Sequence, residues 1–441
     1  MTDNNENVSE NVQNDAKKDK LPFMQSIKRV ITFSKFNFFL VFVPIGYIVK
    51  FVTTNDTLIF FINFAAIIPL ARLLGFATEE LAESVGETLG GLLNATFGNA
   101  VELIIAIVAL ANGRIRVVQA SMLGSVLSNI LLVLGSCFLA GGIAALRNNK
   151  LEQTFSSTAA QASSSLMTLS CITLILPAAF ALAVKGENPP NVNIQFQILD
   201  ISYGTSIVLL IVYILYLVFQ LKTHKDLFNE KEGDEKDDKN ESNKQNTNKN
   251  DNDGQIQEEG ESEHNIERGI ETNDEHDEPH INMMIALVLL IVTTVITAFS
   301  ADFLVDSIEG IVKTLGISET FVGLILLPIV GNAAEHVTSI TVAIKDKMNL
   351  AIGVAVGSST QIALFITPLL VILGWILNKP MSLYFMPFET VCLFIAVLLT
   401  NYLVQVHGRS NWLEGALLIA TYAIIAVAFF YYPDSSGGGS T

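Results

Sequence analysis

Residues 98–103 read GNAVEL and residues 331–336 read GNAAEH, and each stretch places a glutamate inside a long run of apolar residues. Glu102 and Glu335 lie about midway along their runs. A charged side chain at that depth in a bilayer is costly unless it meets water, an ion or a partner. The same costly residue in nearly the same sequence at two places indicates that both copies serve one function.

Both runs belong to a chain of 441 residues, of which 50% are hydrophobic. Runs of about 20 or more apolar residues recur along it, and each is long enough to cross a ~30 Å hydrocarbon layer. The pattern predicts an all-α polytopic membrane protein with eleven transmembrane helices. We expect these helices near residues 36–53, 57–82, 86–111, 115–140, 154–184, 200–222, 282–311, 318–344, 349–377, 383–406 and 412–432.

An offset of 233 residues maps one glutamate-bearing stretch onto the other without a gap. The matched pairs are Gly98 and Gly331, Asn99 and Asn332, Glu102 and Glu335, Gly124 and Gly357, and Ser125 and Ser358. Ala120 and Gly124, like Gly353 and Gly357, have a four-residue spacing that lets helices approach closely in lipid. The two glutamate helices are five predicted spans apart, an odd number, so they run in opposite directions. This is an inverted-topology repeat, which is typical of secondary transporters.

The predicted spans divide the chain into six parts in a 1+5+5 arrangement of helices. The parts are an N-terminal segment at 1–35, a first transmembrane helix with its connection at 36–56, a first five-helix repeat at 57–222, an acidic loop at 223–281, a second five-helix repeat at 282–433 and a tail at 434–441. The N-terminal segment has no apolar run, so we predict no cleavable signal peptide. The tail contains SSGGGST and resembles a linker or an expression scar.

The net charge of −17 is concentrated in the loop, because residues 226–280 hold 20 acidic and 6 basic residues. With almost no aromatic residues this loop is predicted to be largely disordered. It is either a solvated linker or a regulatory segment that attracts cations beside an entrance. Lysines and arginines near the span ends number 13 on the side of the N-terminus and 6 on the other. The positive-inside rule therefore puts the N-terminus and the loop in the cytosol and the C-terminus on the opposite side.

The sequence predicts no lysine or arginine in the central portion of any span, so the two glutamates need a cation or protons as partners. The side chains that offer oxygen near them are Asn94, Asn99, Ser125, Ser128, Asn129, Asn332, Thr338, Ser339, Ser358, Ser359 and Gln361. Pro328, Gly331 and Gly98 can interrupt the helices and free carbonyl oxygens as well. Ca²⁺ takes about 6–8 oxygen ligands, whereas Mg²⁺ gives up water reluctantly and thiolate-preferring metals find no ligand. We therefore predict a Ca²⁺ site.

Two further features have two interpretations each. His336 points about 100° around the helix from Glu335 and is either a proton-linked neighbour that titrates near neutrality or a hydrogen-bonded packing residue. The second feature is an acidic group at the end of the second predicted span, which is either a cation vestibule or an ordinary solvated helix end. Its members are Glu79, Glu80, Glu83 and Glu87.

Longer stretches carry a resemblance to a known family. They are GLLNATFGNAVELI at 91–104, QASMLGSVLSNILLVLG at 119–135 and PIVGNAAEHVTSITVAIKDKMNLAIGVAVGSSTQIALF at 328–365. They resemble the paired repeats of the cation/proton exchanger family, part of the Ca²⁺/cation antiporter superfamily, and most of all fungal vacuolar Ca²⁺/H⁺ exchangers. The resemblance extends over nearly all of residues 36–433.

This resemblance implies a 1+5+5 fold in the vacuolar membrane that moves cytosolic Ca²⁺ into the lumen in exchange for H⁺ by alternating access, with no cofactor. It implies that Glu102 and Glu335 bind Ca²⁺ and protons in turn, and that the acidic loop matches a regulatory segment. The positions that match the lining of the family's site are Asn99, Asn332, Ser125, Ser358 and Gln361.

Several alternatives stay open at this point. Within transport they are a Na⁺-coupled Ca²⁺ exchanger and an exchanger of another divalent cation, such as Mn²⁺, for H⁺. A passive channel or a receptor is a further alternative. An intramembrane hydrolase is disfavoured because neither an HExxH nor a GxGD motif occurs, so we do not expect an enzyme. No nucleic-acid partner is expected beside the ions and the lipid bilayer, and the sequence predicts neither the stoichiometry nor the oligomeric state.

Overall fold

Long apolar helices dominate the fold, as the hydropathy pattern predicts. The structure is a computed structural model that describes residues 23–187, 193–224, 281–405 and 408–433. Within these ranges eight helices are long and apolar enough to cross a membrane, and two bent helix pairs raise the number to ten. A shorter apolar helix covers Phe36–Val52. The predicted all-α polytopic class is confirmed, whereas the count of eleven stays a prediction.

The helices are numbered in chain order. They are α1 (Phe23–Thr32), α2 (Phe42–Val52), α3 (Asp56–Val85), α4 (Glu87–Phe97), α5 (Ala100–Ala111), α6 (Ile115–Leu127), α7 (Leu134–Arg147), α8 (Ser157–Glu187), α9 (Ile194–Val218), α10 (Met283–Asp306), α11 (Ile308–Leu315), α12 (Glu319–Phe321), α13 (Leu327–Gly331), α14 (Ala333–Ile344), α15 (Met348–Gln361), α16 (Thr367–Ile376), α17 (Pro387–Gln405) and α18 (Trp412–Phe430). A 3₁₀ segment, Lys35–Val41, precedes α2. Wider π-helical turns cover Ser128–Val133, Phe219–Thr223, Val322–Leu326 and Ile362–Ile366. Strands β1 (Gln153–Thr154) and β2 (Arg409–Ser410) pair antiparallel.

These helices belong to one compact unit that runs over residues 21–223 and 281–441. Residues 1–22 and 225–280 lie outside the described residues. The predictions for the acidic loop and for the tail at 434–441 therefore lie outside the described residues.

Asparagine side chains cap the N-terminal ends of four of the long helices. Asn55, Asn193, Asn282 and Asn411 each accept a hydrogen bond from a backbone amide two or three residues ahead. Such a cap satisfies amides that an α-helix leaves free at its start. The cap at Asn193 explains why α9 begins before the predicted span at 200–222.

Contacts between the connecting segments agree with the predicted grouping of loops by side. Lys150 Nζ lies 2.6 Å from Asp346, and β1 pairs with β2 on that same predicted cytosolic side. Burial alone would raise the pKa of Asp346, but hydrogen bonds from Lys150 and Gln153 outweigh it and lower that pKa. On the other side Lys50 Nζ lies 3.2 Å from Asp306. These contacts show which segments share a side, and which side is cytosolic stays a prediction.

The two predicted pairs of small residues behave differently. A Cβ added at Gly124 would overlap the backbone of Leu324, and one added at Gly323 would lie 2.7 Å from the Cβ of Ala120. The close approach predicted for α6 is therefore confirmed. For Gly353 and Gly357 on α15 the prediction is wrong, because a Cβ at either position has no atom of the described chain within 4 Å.

Candidate functional site

The glutamate-bearing spans are both broken, and the two breaks occupy equivalent positions. Residues Leu89–Phe97 and α5 meet at 48°, and residues Glu319–Gly331 and α14 meet at 54°. Asn99 and Asn332 stand at the breaks, each directly before the second half-helix. The interruptions that Gly98, Pro328 and Gly331 predict are therefore present, and the half-helices α5 and α14 both begin in the interior of their spans.

Glu102 and Glu335 lie in the first turn of these second half-helices. Glu102 is 5% exposed, and Glu335 is half-buried. The Glu102 carboxylate faces the break in the other repeat, because a Cβ added at Gly331 would lie 2.9 Å from its Oε1. Glu335 lies in the neighbourhood of Ser358, Asn129 and Glu102. The fold thus brings together two carboxylates that are far apart in sequence.

A chain of hydrogen bonds crosses the site and alternates between the repeats. Asn129 Nδ2 donates to Ser358 Oγ at 2.8 Å, Ser358 Oγ donates to Asn99 Oδ1 at 2.7 Å, and Asn99 Nδ2 donates to Gln361 Oε1 at 2.8 Å. Because the single hydroxyl hydrogen of Ser358 goes to Asn99, it is not available to Glu335. Three predicted lining residues, Asn99, Ser358 and Gln361, are therefore already occupied with one another.

The remaining polar atoms of the site are buried without a partner. Within the described part of the chain no hydrogen bond reaches Glu102 Oε1, Glu335 Oε2, Ser128 Oγ, Asn129 Oδ1 or the two amide atoms of Asn332. Buried polar atoms in this condition are costly and call for a physical explanation. All but one are oxygens, the ligands that a hard cation such as Ca²⁺ takes. The arrangement can hold a dehydrated cation with two carboxylates and several neutral oxygens.

Equivalent positions in the two repeats differ in exposure. Gly98 and Asn94 are exposed, whereas their equivalents Gly331 and Leu327 are buried. On the side of α4, a Cβ added at Gly357 of α15 would meet no described atom within 4 Å. On the other side, Val322–Leu326 packs tightly on α6. These residues are therefore less covered on the side of α4, which is the predicted cytosolic side, than on the other.

A family model for the sodium/calcium exchanger protein matches residues 56–222 and 285–431. The chain belongs to this family. It is 45% identical over 407 residues to the vacuolar calcium ion transporter of Schizosaccharomyces pombe, and the alignment covers 92% of this chain and 87% of the relative. It is 42% identical over 394 residues to the Ca²⁺/H⁺ antiporter of Aphanothece halophytica, which covers 89% of this chain and 95% of the relative.

Solved structures agree with this membership in the sodium/calcium exchanger family. The structure of native YfkE superposes with a TM-score of 0.68 and 32% identity, over 90% of this chain and 100% of that one. YfkE is described as a Ca²⁺/H⁺ antiporter protein. A structure of the H⁺/Ca²⁺ exchanger CAX, at a TM-score of 0.55 and 12% identity over 93% of each chain, shares the fold.

The other predicted site residues of this family member lie around the two breaks. Ser125 is buried on α6 at the position equivalent to Ser358. His336 is half-buried, and its Nδ1 lies 3.3 Å from the carbonyl oxygen of Asn332 at the break. The proton-linked role of this histidine stays a prediction.

The four glutamates of the predicted vestibule have different surroundings. Glu79 and Glu83 are exposed at the end of α3. Glu80 is 4% exposed, lies 3.4 Å from Arg29 Nη2 and accepts a hydrogen bond from the backbone N of Ile281 at 2.9 Å. It therefore ties α1 and the start of α10 to α3, which is an anchoring role. The side chain of Glu87 lies outside the described residues, so the vestibule stays a prediction for Glu79 and Glu83.

Arg72 is a residue that the sequence analysis missed. It lies near the middle of α3, so the expectation of no basic residue in the centre of a span is wrong. Its Nη1 donates to Thr338 Oγ1 at 2.8 Å, and its guanidinium lies over the ring of Phe33. Thr338 stands one turn beyond Ala334, to whose carbonyl its hydroxyl donates. Arg72 thus ties α3 to the half-helix that carries Glu335, and a count of charges within the predicted span at 57–82 would have found it.

Substituting Arg72→Gln is expected to lower the maximal exchange rate roughly 10- to 150-fold, since a hydrogen bond to a charged group contributes about 1.5–3 kcal/mol. Thr338→Val should lower the rate similarly, because it removes the acceptor. Initial rates in proteoliposomes, normalised to folded protein, measure both effects. The double variant should be no worse than either single one, and additive losses would contradict a direct Arg72–Thr338 contribution.

Proposed function

We propose that this chain is a secondary active antiporter that exchanges cytosolic Ca²⁺ for lumenal H⁺ and so sequesters Ca²⁺ in the vacuole. One observation carries the proposal: Glu102 and Glu335 meet at two helix breaks, beside buried oxygens that have no partner among the described residues. The relatives named vacuolar calcium ion transporter and Ca²⁺/H⁺ antiporter support the two ions and the compartment.

The chemistry follows from the charge of the two carboxylates. Two ionised glutamates neutralise one Ca²⁺, and two protonated glutamates are neutral by themselves. Either loading removes the cost of bare charge in a site of low dielectric, whereas the unloaded, ionised site keeps that cost. Asn129 Oδ1, Asn332 Oδ1 and Ser128 Oγ would complete the oxygen shell around the cation. Binding of Ca²⁺ and binding of protons thus exclude each other, which is the requirement for exchange.

The proposed architecture has one helix followed by two five-helix repeats of opposite orientation. The shorter helix at Phe36–Val52 would be the first span, before the two stretches matched by the family model. Equivalent breaks at Asn99 and Asn332 support the repeat. The asymmetry of basic residues supports a cytosolic N-terminus and acidic loop and a lumenal C-terminus.

Ca²⁺ uptake into sealed proteoliposomes tests this function. With an acid interior and no sodium on either side, uptake should begin when the proton gradient is imposed and stop when a protonophore collapses it. Vesicles without protein control for leak. Uptake that needs a sodium gradient would instead establish the Na⁺-coupled alternative. Mn²⁺ that competes with Ca²⁺ at similar concentrations would establish a broader divalent-cation exchanger.

A further inference from the structure

The two asparagines at the breaks are equivalent in sequence but not in their contacts. The first asparagine contact joins Asn99 to both Ser358 and Gln361 of α15. The second asparagine contact, the equivalent expected from the repeat, would join Asn332 to the corresponding residues of the first repeat. Yet Asn332 is fully buried, and neither atom of its amide has a hydrogen-bond partner in the described ranges. One asparagine is therefore held, and the other is not.

The offset between the repeats identifies the residue that is missing from the second contact. Gln361 minus 233 is Ser128, in the same way that Ser358 corresponds to Ser125. Ser128 is fully buried, and its hydroxyl makes no hydrogen bond to any described residue. The hydroxyl of Tyr422 lies close to it, but outside hydrogen-bonding geometry. Ser128 and Asn332 thus occupy the repeat positions of Gln361 and Asn99, but no hydrogen bond joins them.

Whether each asparagine contact is made correlates with how the half-helix before that asparagine packs. Where α4 leaves Gly357 uncovered, the first asparagine contact is made. Where Val322–Leu326 packs on α6, the second is not made. In an inverted repeat the two halves exchange conformations when the protein opens to the other side. The two contacts should therefore exchange as well.

We propose that Gln361 and Ser128 are equivalent positioning residues that hold the two break asparagines in turn. Gln361 holds Asn99 in the conformation described here, and Ser128 holds Asn332 in the conformation open to the other side. When one asparagine is held, the other is released toward the cation. This inference rests on the proposed function and adds to it the residues that select between the two conformations.

Cysteine labelling measures the two conformations without any transport assay. Asn94→Cys reports the side that is less covered here, and Leu327→Cys, at the equivalent position in the second repeat, reports the other. The native cysteines Cys137, Cys171 and Cys392 are buried, so protein without a reporter gives the background. Each reporter is labelled in nanodiscs with a charged thiol reagent that reaches both faces, at fixed pH and with Ca²⁺ removed by a chelator, so that altered Ca²⁺ binding cannot cause the shift.

Removing the two positioning residues should shift the labelling in opposite directions. Gln361→Ala should slow labelling at position 94 and speed it at position 327, with a change in the ratio of roughly two- to tenfold, the effect of one hydrogen bond. Ser128→Ala should change the ratio the opposite way, and the double variant should return toward the parent. Thr360→Ala is the matched control, because Thr360 is buried on the same helix and its hydroxyl donates to the carbonyl of Val356 one turn earlier.

The outcomes separate this inference from the proposed function. Shifts in the same direction for both variants, or no shift in either, would overturn it even in a protein that exchanges Ca²⁺ for H⁺. Opposite shifts in a protein that fails to exchange these ions would support the positioning role of Gln361 and Ser128 and overturn only the assignment of substrates. Size-exclusion profiles before labelling ensure that only folded variants are compared.

Discussion

Replacing either Glu102 or Glu335 with glutamine is expected to reduce Ca²⁺ exchange at least about 100-fold while leaving the fold intact. Each variant keeps one carboxylate, so the site can no longer neutralise Ca²⁺, and loss of a carboxylate that pairs with a buried cation costs about 3–5 kcal/mol. The amide has the shape of the protonated acid, and therefore the buried position tolerates it. Initial rates of Ca²⁺ uptake measure the effect.

Thermal unfolding with and without Ca²⁺ provides a second readout for these variants. A cation that binds only the folded state raises the unfolding temperature of the parent protein, and this rise should disappear in both variants. Glu152→Gln is the matched control, because Glu152 is exposed and forms only a surface pair with Arg409 at 3.4 Å. Uptake near the parental rate in either site variant would reduce that glutamate to a packing role.

The second large effect is expected for stability, at the buried ion pair of Arg116 and Glu389. Glu389 is fully buried, accepts hydrogen bonds from both terminal nitrogens of Arg116 and accepts another from the backbone N of Met386 at 2.9 Å. Arg116 Nη2 also lies 3.2 Å from Thr320 Oγ1, so the pair joins the start of α6 to both α12 and α17. Glu389→Gln leaves the partly buried guanidinium of Arg116 without its counter-charge and should cost about 3 kcal/mol of folding free energy, the lower end of the range for a broken buried pair.

The unfolding temperature in detergent tests this prediction. It is measured as the fraction of protein that remains monodisperse after heating. Arg114→Gln is the control, since Arg114 forms solvent-exposed pairs with Glu309 at 3.0 Å and Glu319 at 3.9 Å and should cost no more than about 1 kcal/mol. The double variant Arg116→Gln with Glu389→Gln should be more stable than Glu389→Gln alone. Equal stability of the control and Glu389→Gln would show that this pair does not hold the three helices together.

Periodicity and repetition made much of the fold readable from the sequence. The hydropathy of each run predicts its helix, because a spanning helix must satisfy its backbone internally and cover itself with apolar side chains. The repeat predicted that Glu102 and Glu335 would be equivalent, and glycine and proline predicted the breaks. The match at a fixed offset thus predicted the two equivalent helix breaks and the two central glutamates.

Contacts between distant residues were beyond the reach of the sequence. Nothing local distinguishes Glu80, which anchors α1 and α10, from its exposed neighbour Glu79. The partner of Arg116 lies 273 residues away, and no periodic pattern links the two. The repeat likewise predicted equivalent roles for Asn99 and Asn332, whereas one conformation of an alternating structure makes them different. Such differences depend on which half-helix is packed, a property of the folded state.

The two breaks also affect how long a cation stays in the site. Each second half-helix begins at the site, so the positive end of its dipole points at the carboxylate in its first turn. Such an end stabilises the ionised carboxylate, and it also repels a cation bound there. At about 1 kcal/mol for each end, the dissociation constant for Ca²⁺ rises roughly 30-fold above that of two bare carboxylates. With association unchanged, the residence time of the ion falls by the same factor. If Ca²⁺ binds at the proposed site, the helix breaks would therefore shorten its residence time and favour turnover over retention.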